Sequence, residues 1–528
     1  MQSQSFKAIL IIALSAFFAI YLGVSAATAQ YEAIAWVAGF VGVAFILALG
    51  KNVWTLIPCG LVLIGTINAL PGSPPAWLLG SVIVTVIYIL RFAMRKLPLS
   101  FHFDFLDFAI FLQILAIGQA FARAPAGVMF FGGDSVGGKS YFIFAFAILA
   151  YFMLAFTVTN LKTVKVVMIC MMVIAMLDGV VALVGDYSAS LGMAILHIYS
   201  NSNIDVARAG DQVWDLSQSR GGQGFTLIGK ALVFPCLALN RPLRTLNPLK
   251  PWLPAAMLVG VVLVALSGFR SNLTYLLVVF AISAIIRRHV VDIIAVGFIG
   301  VVGLGILLLS GQVKNMPFGV QRILSVLPIE VSSAARLDAE NSTTWRVEMW
   351  QLALSTDRYI HNKMLGDGFG ISGHEMAARL NAQLGLADFD GQEQMLATGT
   401  YHGFHVETIR FTGYFGLVCA IILMGVCGRR AWQLTKYYRG RAEFGYLAYL
   451  FIPFLIYPWW SLLIFGSYRA EFPQFIAMAG MLKLVDNLRR RELAEAVEEE
   501  ELVPVVNNPR ARFPSRPAFA AGRTMNQS

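Results

Sequence analysis

The stretch "TYHGFHVETIRFTGYFGL" (Thr400–Leu417) sets two histidines, His402 and His405, three residues apart, with Glu407 and Arg410 close behind. An imidazole titrates near neutrality, so either ring could take a proton from an attacking hydroxyl. Two imidazoles at this spacing could also aim at one metal ion, but a zinc site needs a third and usually a fourth ligand. Glu407 is out of register for an HExxH pattern, and neither His361 nor His374 has metal-binding surroundings. Neither a metal nor a cofactor is expected. Two arginines stand where an anion could be held: Arg270 in "LSGFRSNLTY", and Arg346 in "WRVEMW", with Trp350 four residues on. Guanidinium forks bind phosphate oxygens two at a time. Each residue also has a plain structural reading. Arg270 and Arg410 could snorkel at a membrane surface, Arg346 could pair with Glu340 or Glu348, and Trp350 could pack.

The elements that must carry these groups are membrane helices. Hydrophobic residues make up 57% of the 528 and charged ones only 13%, and apolar runs recur almost end to end. About 20 apolar residues cover the ~30 Å of a bilayer core, so the runs predict an all-α polytopic membrane protein of about fourteen spans (twelve to fourteen). The net charge of +10 sits in short linkers between runs; that is the pattern that orients a membrane protein and excludes a nucleic-acid partner. Lys and Arg gather in alternate linkers, which predicts both termini in the cytoplasm. The first run, ending "SAATAQ", is read as an uncleaved helix in preference to a signal peptide. The five cysteines fall within apolar runs, so no disulfide or structural zinc is expected.

Four regions follow: eleven spans over 1–310, a large outer loop over 311–407, three spans over 408–487, and a cytoplasmic tail over 488–528 that ends in disorder. The outer loop is long enough to hold helices, one of them over "TTWRVEMWQLALSTDRY" with Ser342 or Thr343 as its cap. Asp178 and Lys230 lie inside consecutive spans, each ~10–12 Å deep at ~1.5 Å per residue. A lone charge there costs at least ~2.5–3.5 kcal/mol, so the two are expected to form a buried structural pair or share a network. Asp107 lies near a span end and is expected to be solvated.

The order of motifs is more specific than any one of them. "QSRGGQGFTLIGKAL", "LSGFRSNLTYLL", "WRVEMW", "LGDGFG" and "HGFHVETIRFTGYFGL" follow one another between Ser219 and Leu417. This series resembles the O-antigen ligase and Wzy-type polysaccharide polymerase superfamily, with its S-x-x-R, R-x-x-x-W, G-x-G-F-G and H-N-x-x-L…G-x-x-G signatures. The resemblance implies a GT-C-like membrane glycosyltransferase, metal-independent and inverting. Its donor would be an undecaprenyl-pyrophosphate-linked oligosaccharide, and its acceptor a carrier-linked glycan or lipid A–core, at the outer face of a bacterial inner membrane. Arg270 and Arg346 fall on the family's arginine positions, and Arg220 is a looser match; all three would meet the pyrophosphate. Counting back from Gly413 and Gly416 puts the family's histidine at His402, as catalytic base or acceptor clamp. His405, Glu407, Arg410 and Trp350 would line the same mouth. The family's asparagine is replaced by Gly403, which puts that residue's role in doubt. Fourteen spans fit a polymerase better than a ligase of about twelve, and a polymerase leaves room for a chain-length regulator as partner. The competing reading is a lipid-linked glycan flippase or transporter, which would show internal repeats and charges near the bilayer midplane.

Overall fold

The computed structural model describes residues 42–44, 46–95, 102–127, 137–200, 222–327, 329–370, 395–396 and 399–502. The expected first span, Arg220, His374 and the tail beyond Leu502 lie outside the described residues. Every named element among those described is a helix. The helices that build and support the site are α1 (Ala76–Ala93), α2 (Phe105–Arg123), α3 (Lys139–Ala155), α4 (Leu161–Tyr187), α5 (Gln223–Leu239), α6 (Trp252–Leu266), α7 (Arg270–Ile286), α8 (Val291–Leu309), α9 (Phe318–Leu324), α10 (Ser333–Ser355), α11 (Phe404–Tyr438), α12 (Phe444–Leu463) and α13 (Phe472–Leu502).

Seven helices among the described residues are long and apolar enough to cross a membrane: Gly42–Leu61, which bends at Gly50, and α1, α2, α4 (over Leu161–Gly185), α8, α11 and α12. The apolar helices α3, α5, α6 and α7 are shorter. Their outward surfaces are greasy: α8 exposes Ile294, Phe298, Val301, Ile306 and Leu309. Such surface is costly in water and free of cost in lipid. These features are those of a multi-pass membrane protein. Its core lies where α3, α11, α12 and α13 meet, around the fully buried Phe144, Tyr151, Phe404, Phe451, Phe454 and Phe472. The long loop over 311–407 does hold helices, α9 and α10.

The charged "EAVEEEE" forms the expected helix end, as part of α13, which runs unbroken from Phe472 to Leu502. Two expectations need correction. Helix α10 starts about ten residues before the expected cap: Ser332 is the N-cap, its hydroxyl accepting from Ala335 N at 3.3 Å. Second, Asp107 is buried, not solvated. Its carboxylate accepts from Lys483 Nζ at 2.6 Å, from Tyr151 at 2.7 Å and from Asp104 N at 2.8 Å. Lys483 is itself fully buried, so each charge neutralises the desolvation cost of the other.

Candidate active site

Helix α10 is the rod along which the site is assembled. Gly268, with φ 75°, turns the chain between α6 and α7, so that Arg270 begins α7 and reaches sideways. Its Nη2 donates to the Ala339 carbonyl of α10 at 2.6 Å. Arg322 of α9 braces that turn: its Nη1 donates to Gly268 O at 2.5 Å and its Nε forms an ion pair with Asp338. Arg346 lies seven residues beyond Ala339, on the same face and about 10 Å along the axis at 1.5 Å per residue.

Arg346 and His402 flank one ring. The Arg346 guanidinium lies 5.7 Å from the centroid of Phe465, in the turn after α12. The His402 imidazole stacks on Phe465 with centroids 5.5 Å apart and planes 18° apart, and meets Trp345 edge-on at 6.4 Å. Burial, and then the charge of Arg346, hold the His402 pKa below its usual 6.5. The ring is therefore neutral at pH 7, with the lone pair a base needs. His402 also has φ 49°, a left-handed backbone that costs a non-glycine residue about 1–3 kcal/mol and persists only where its surroundings enforce it.

Trp350, one turn past Arg346, supplies part of that enforcement: its Nε1 donates to the Tyr401 carbonyl at 2.7 Å. The indole then covers Gly403, where a Cβ would sit 2.7 Å from Cε2. A glycine at 403 is thus a packing requirement in this chain. His405 turns the other way and meets Trp350 edge-on at 5.0 Å. The two histidines pack on different aromatic rings. Among the described residues no three His, Cys, Asp or Glu side chains converge as a metal would require.

Below the histidines α11 is broken and repaired. Gly413 has φ 75° and ψ −177° within the helix, so Tyr414 N and Phe415 N cannot reach the carbonyls one turn back. They donate instead to Lys363 O at 2.8 Å and Met364 O at 3.1 Å. The orphaned carbonyls of Arg410 and Phe411 accept from Asp367 N at 2.8 Å and Gly368 N at 3.1 Å. The "LGDGFG" loop therefore stands in for the missing turn. A Cβ on Gly413 would lie 2.2 Å from Met364 O. Gln119 and Arg123 of α2 close the joint from the other side, donating to Leu365 O at 2.9 Å and 2.5 Å.

Arg410 is buried and ion-paired with Asp367, whose carboxylate also accepts from His361 N and Asn362 N. Glu407 is buried as well, accepting from the Ser467 hydroxyl at 2.7 Å and Tyr468 N at 2.8 Å. Both hold the mouth together from beneath its surface. Asp178 and Lys230 hydrogen-bond to different groups. Asp178 accepts from Tyr199 at 2.6 Å and from Ile64 N at 3.3 Å. Lys230 donates to Asn272 at 2.8 Å and lies 5.1 Å over the Tyr275 ring. Sequence reasoning missed Phe465, Arg322 and Asp367. Only Asp367 carried a signal, its place between the glycines of "LGDGFG".

Compared with known proteins, the chain matches no family model and no curated sequence.

Proposed function

We propose that this protein is a membrane glycosyltransferase of cell-surface polysaccharide synthesis, acting at the periplasmic face of a bacterial inner membrane. The observation that carries the reading is the grouping of Arg346 and a neutral His402 on Phe465, with Arg270 docked on the same helix. The order of motifs along the sequence between Ser219 and Leu417 supports it.

In the proposed reaction the donor is a glycan joined through its anomeric carbon to undecaprenyl pyrophosphate. His402 Nδ1 or Nε2 removes the proton from an acceptor sugar hydroxyl. The oxygen forms a bond to the anomeric carbon from the face opposite the pyrophosphate, and the carbon–oxygen bond to the carrier breaks with inversion. The electron pair leaves on the pyrophosphate, whose growing charge Arg270 and Arg346 neutralise, with Arg220 as a third candidate. The proton stays on His402 until it passes to solvent. The acceptor is a carrier-linked glycan, making the enzyme a polymerase.

The test is purified protein in liposomes with an undecaprenyl-pyrophosphate-linked repeat, with and without lipid A–core. A ladder of longer carrier-linked chains is expected. Label moving to lipid A–core would make the protein an O-antigen ligase. Movement of the donor between leaflets with no transfer at all would replace the enzyme with a flippase.

A further inference from the structure

The ends of α5, α7 and α11 away from the histidines converge on a second basic region. Two adjoining cavities lie there, of about 350 and 400 Å³, sharing Asn240 and Arg244. Lys250 lines the first; Arg287, His289 and Arg439 line the second. Arg270 and Arg287 stand at the two ends of the 17-residue α7, about 25 Å apart at 1.5 Å per residue. The cavities are therefore remote from the proposed chemistry.

The charges there do not balance. Arg241 is consumed by Asp292, in a forked pair with contacts of 2.6–3.0 Å. Arg287 is pinned rather than neutralised: it donates to Ser283 Oγ at 2.8 Å and to the Ala238 carbonyl. Arg439 Nε is buried without a hydrogen-bond partner among the described residues. Three helix C-termini meet here, and each offers about half a negative charge, so together they offset roughly half of Arg244, Arg287 and Arg439. An excess positive charge remains in a concave, half-enclosed place. Cations that merely mark the orientation of a membrane protein would extend into water; Arg287 and Arg439 are only partly exposed and line a cavity.

We propose that these cavities form a phosphate-binding site, which takes a phosphate-bearing anion between the ends of α5, α7 and α11. Guanidinium forks suit phosphate oxygens, and basic pockets between membrane helices suit anionic lipid headgroups. A phospholipid headgroup and a free phosphate present the same oxygens, and the experiment separates the two.

The full chain in neutral detergent is titrated with cardiolipin, with phosphatidylethanolamine and with inorganic pyrophosphate, and bound species are counted by native mass spectrometry. Cardiolipin is expected to be retained over phosphatidylethanolamine, and Arg244→Gln with Arg439→Gln to weaken it about tenfold or more. Arg429→Gln, which removes an exposed charge from the same end of α11 without touching the cavities, should leave binding unchanged. Saturation by pyrophosphate, with no preference among lipids, would assign the site to a soluble anion. Wild-type binding of both probes by the double variant would overturn the proposal, as would failure of both to bind the wild type. Thermal unfolding checks that the double variant is folded; if it is not, Arg244→Gln alone, at an exposed position, serves the same comparison.

Discussion

The indole of Trp350 lies over Gly403 so closely that any side chain at 403 would occupy its volume, with 2.7 Å between a Cβ and Cε2. Trp350 is at the same time bonded to Tyr401 O, so the ring cannot swing away without losing that bond. Gly403→Ala is therefore expected to destabilise the protein by about 1–3 kcal/mol through overpacking. Because Gly403 has φ −134°, the cost is steric and not conformational. Trp350→Ala should absorb it, so the double variant should melt above the sum of the single losses. Additive losses in detergent melting curves would show that the two residues do not share this space.

The two histidines should separate by function. His402→Ala is expected to abolish nearly all glycan transfer, since it removes the proposed base beside Arg346. His405→Ala, on the far side of Trp350, should keep most of it. Equal loss at both positions would sink the assignment of His402.

The pH dependence has a definite sign. Burial, and after it the Arg346 charge, depress the His402 pKa below 6.5, so the basic form persists into mildly acidic solution. Transfer should fall only as pH drops through that lowered value, on the acid side of 6.5. The stability contribution follows the same direction, complete above the unfolded-state value and lost as pH falls through the folded one. Arg346→Gln removes one of the two causes, and NMR titration of labelled histidine should then find the His402 midpoint raised. A midpoint that stays or falls would deny the electrostatic contact.

Under the proposed reaction, Arg270→Ala and Arg346→Ala are each expected to lower turnover about a hundredfold or more, as loss of a group that stabilises a departing charge does. Lysine should rescue neither in full, because it offers a point charge in place of a fork. Full recovery with Arg346→Lys would argue for a general electrostatic role.

Gly413→Ala should be far more damaging than an ordinary glycine replacement. Its φ of 75° disfavours any side chain, and the new Cβ would meet Met364 O at 2.2 Å. A loss above about 3 kcal/mol, from strain and clash together, is expected, read as loss of folded protein after extraction. Asp367→Ala should also destabilise strongly, by about 3–5 kcal/mol, by stranding the buried Arg410 charge.

What could be read in the sequence divides along physical lines. Apolar runs are local, so the helices they imply were legible, as was a helix carrying Arg346 and Trp350. Motif order grouped Arg270, Arg346 and His402 within one region, and α10 links them. The unreadable parts are long-range. Asp107 and Lys483 are 376 residues apart and meet only because α2 and α13 both pack against α3. Phe465 is one aromatic among 38 phenylalanines, and nothing in its neighbours marks it as the ring that two site residues share. The glycines at 413 and 416 announced a motif, but not that another segment would complete the helix there.

That repair makes chain length, more than residue identity, the vulnerable quantity in this part of the molecule. The bonds joining 363, 364, 367 and 368 to 410, 411, 414 and 415 are all between main-chain atoms, so side chains along the seam can drift without loosening it. A single-residue insertion or deletion between Met364 and Asp367 would put the bonds of 363 and 364 out of step with those of 367 and 368. It would leave main-chain groups along the seam without partners, each at a cost of about 1–3 kcal/mol where buried.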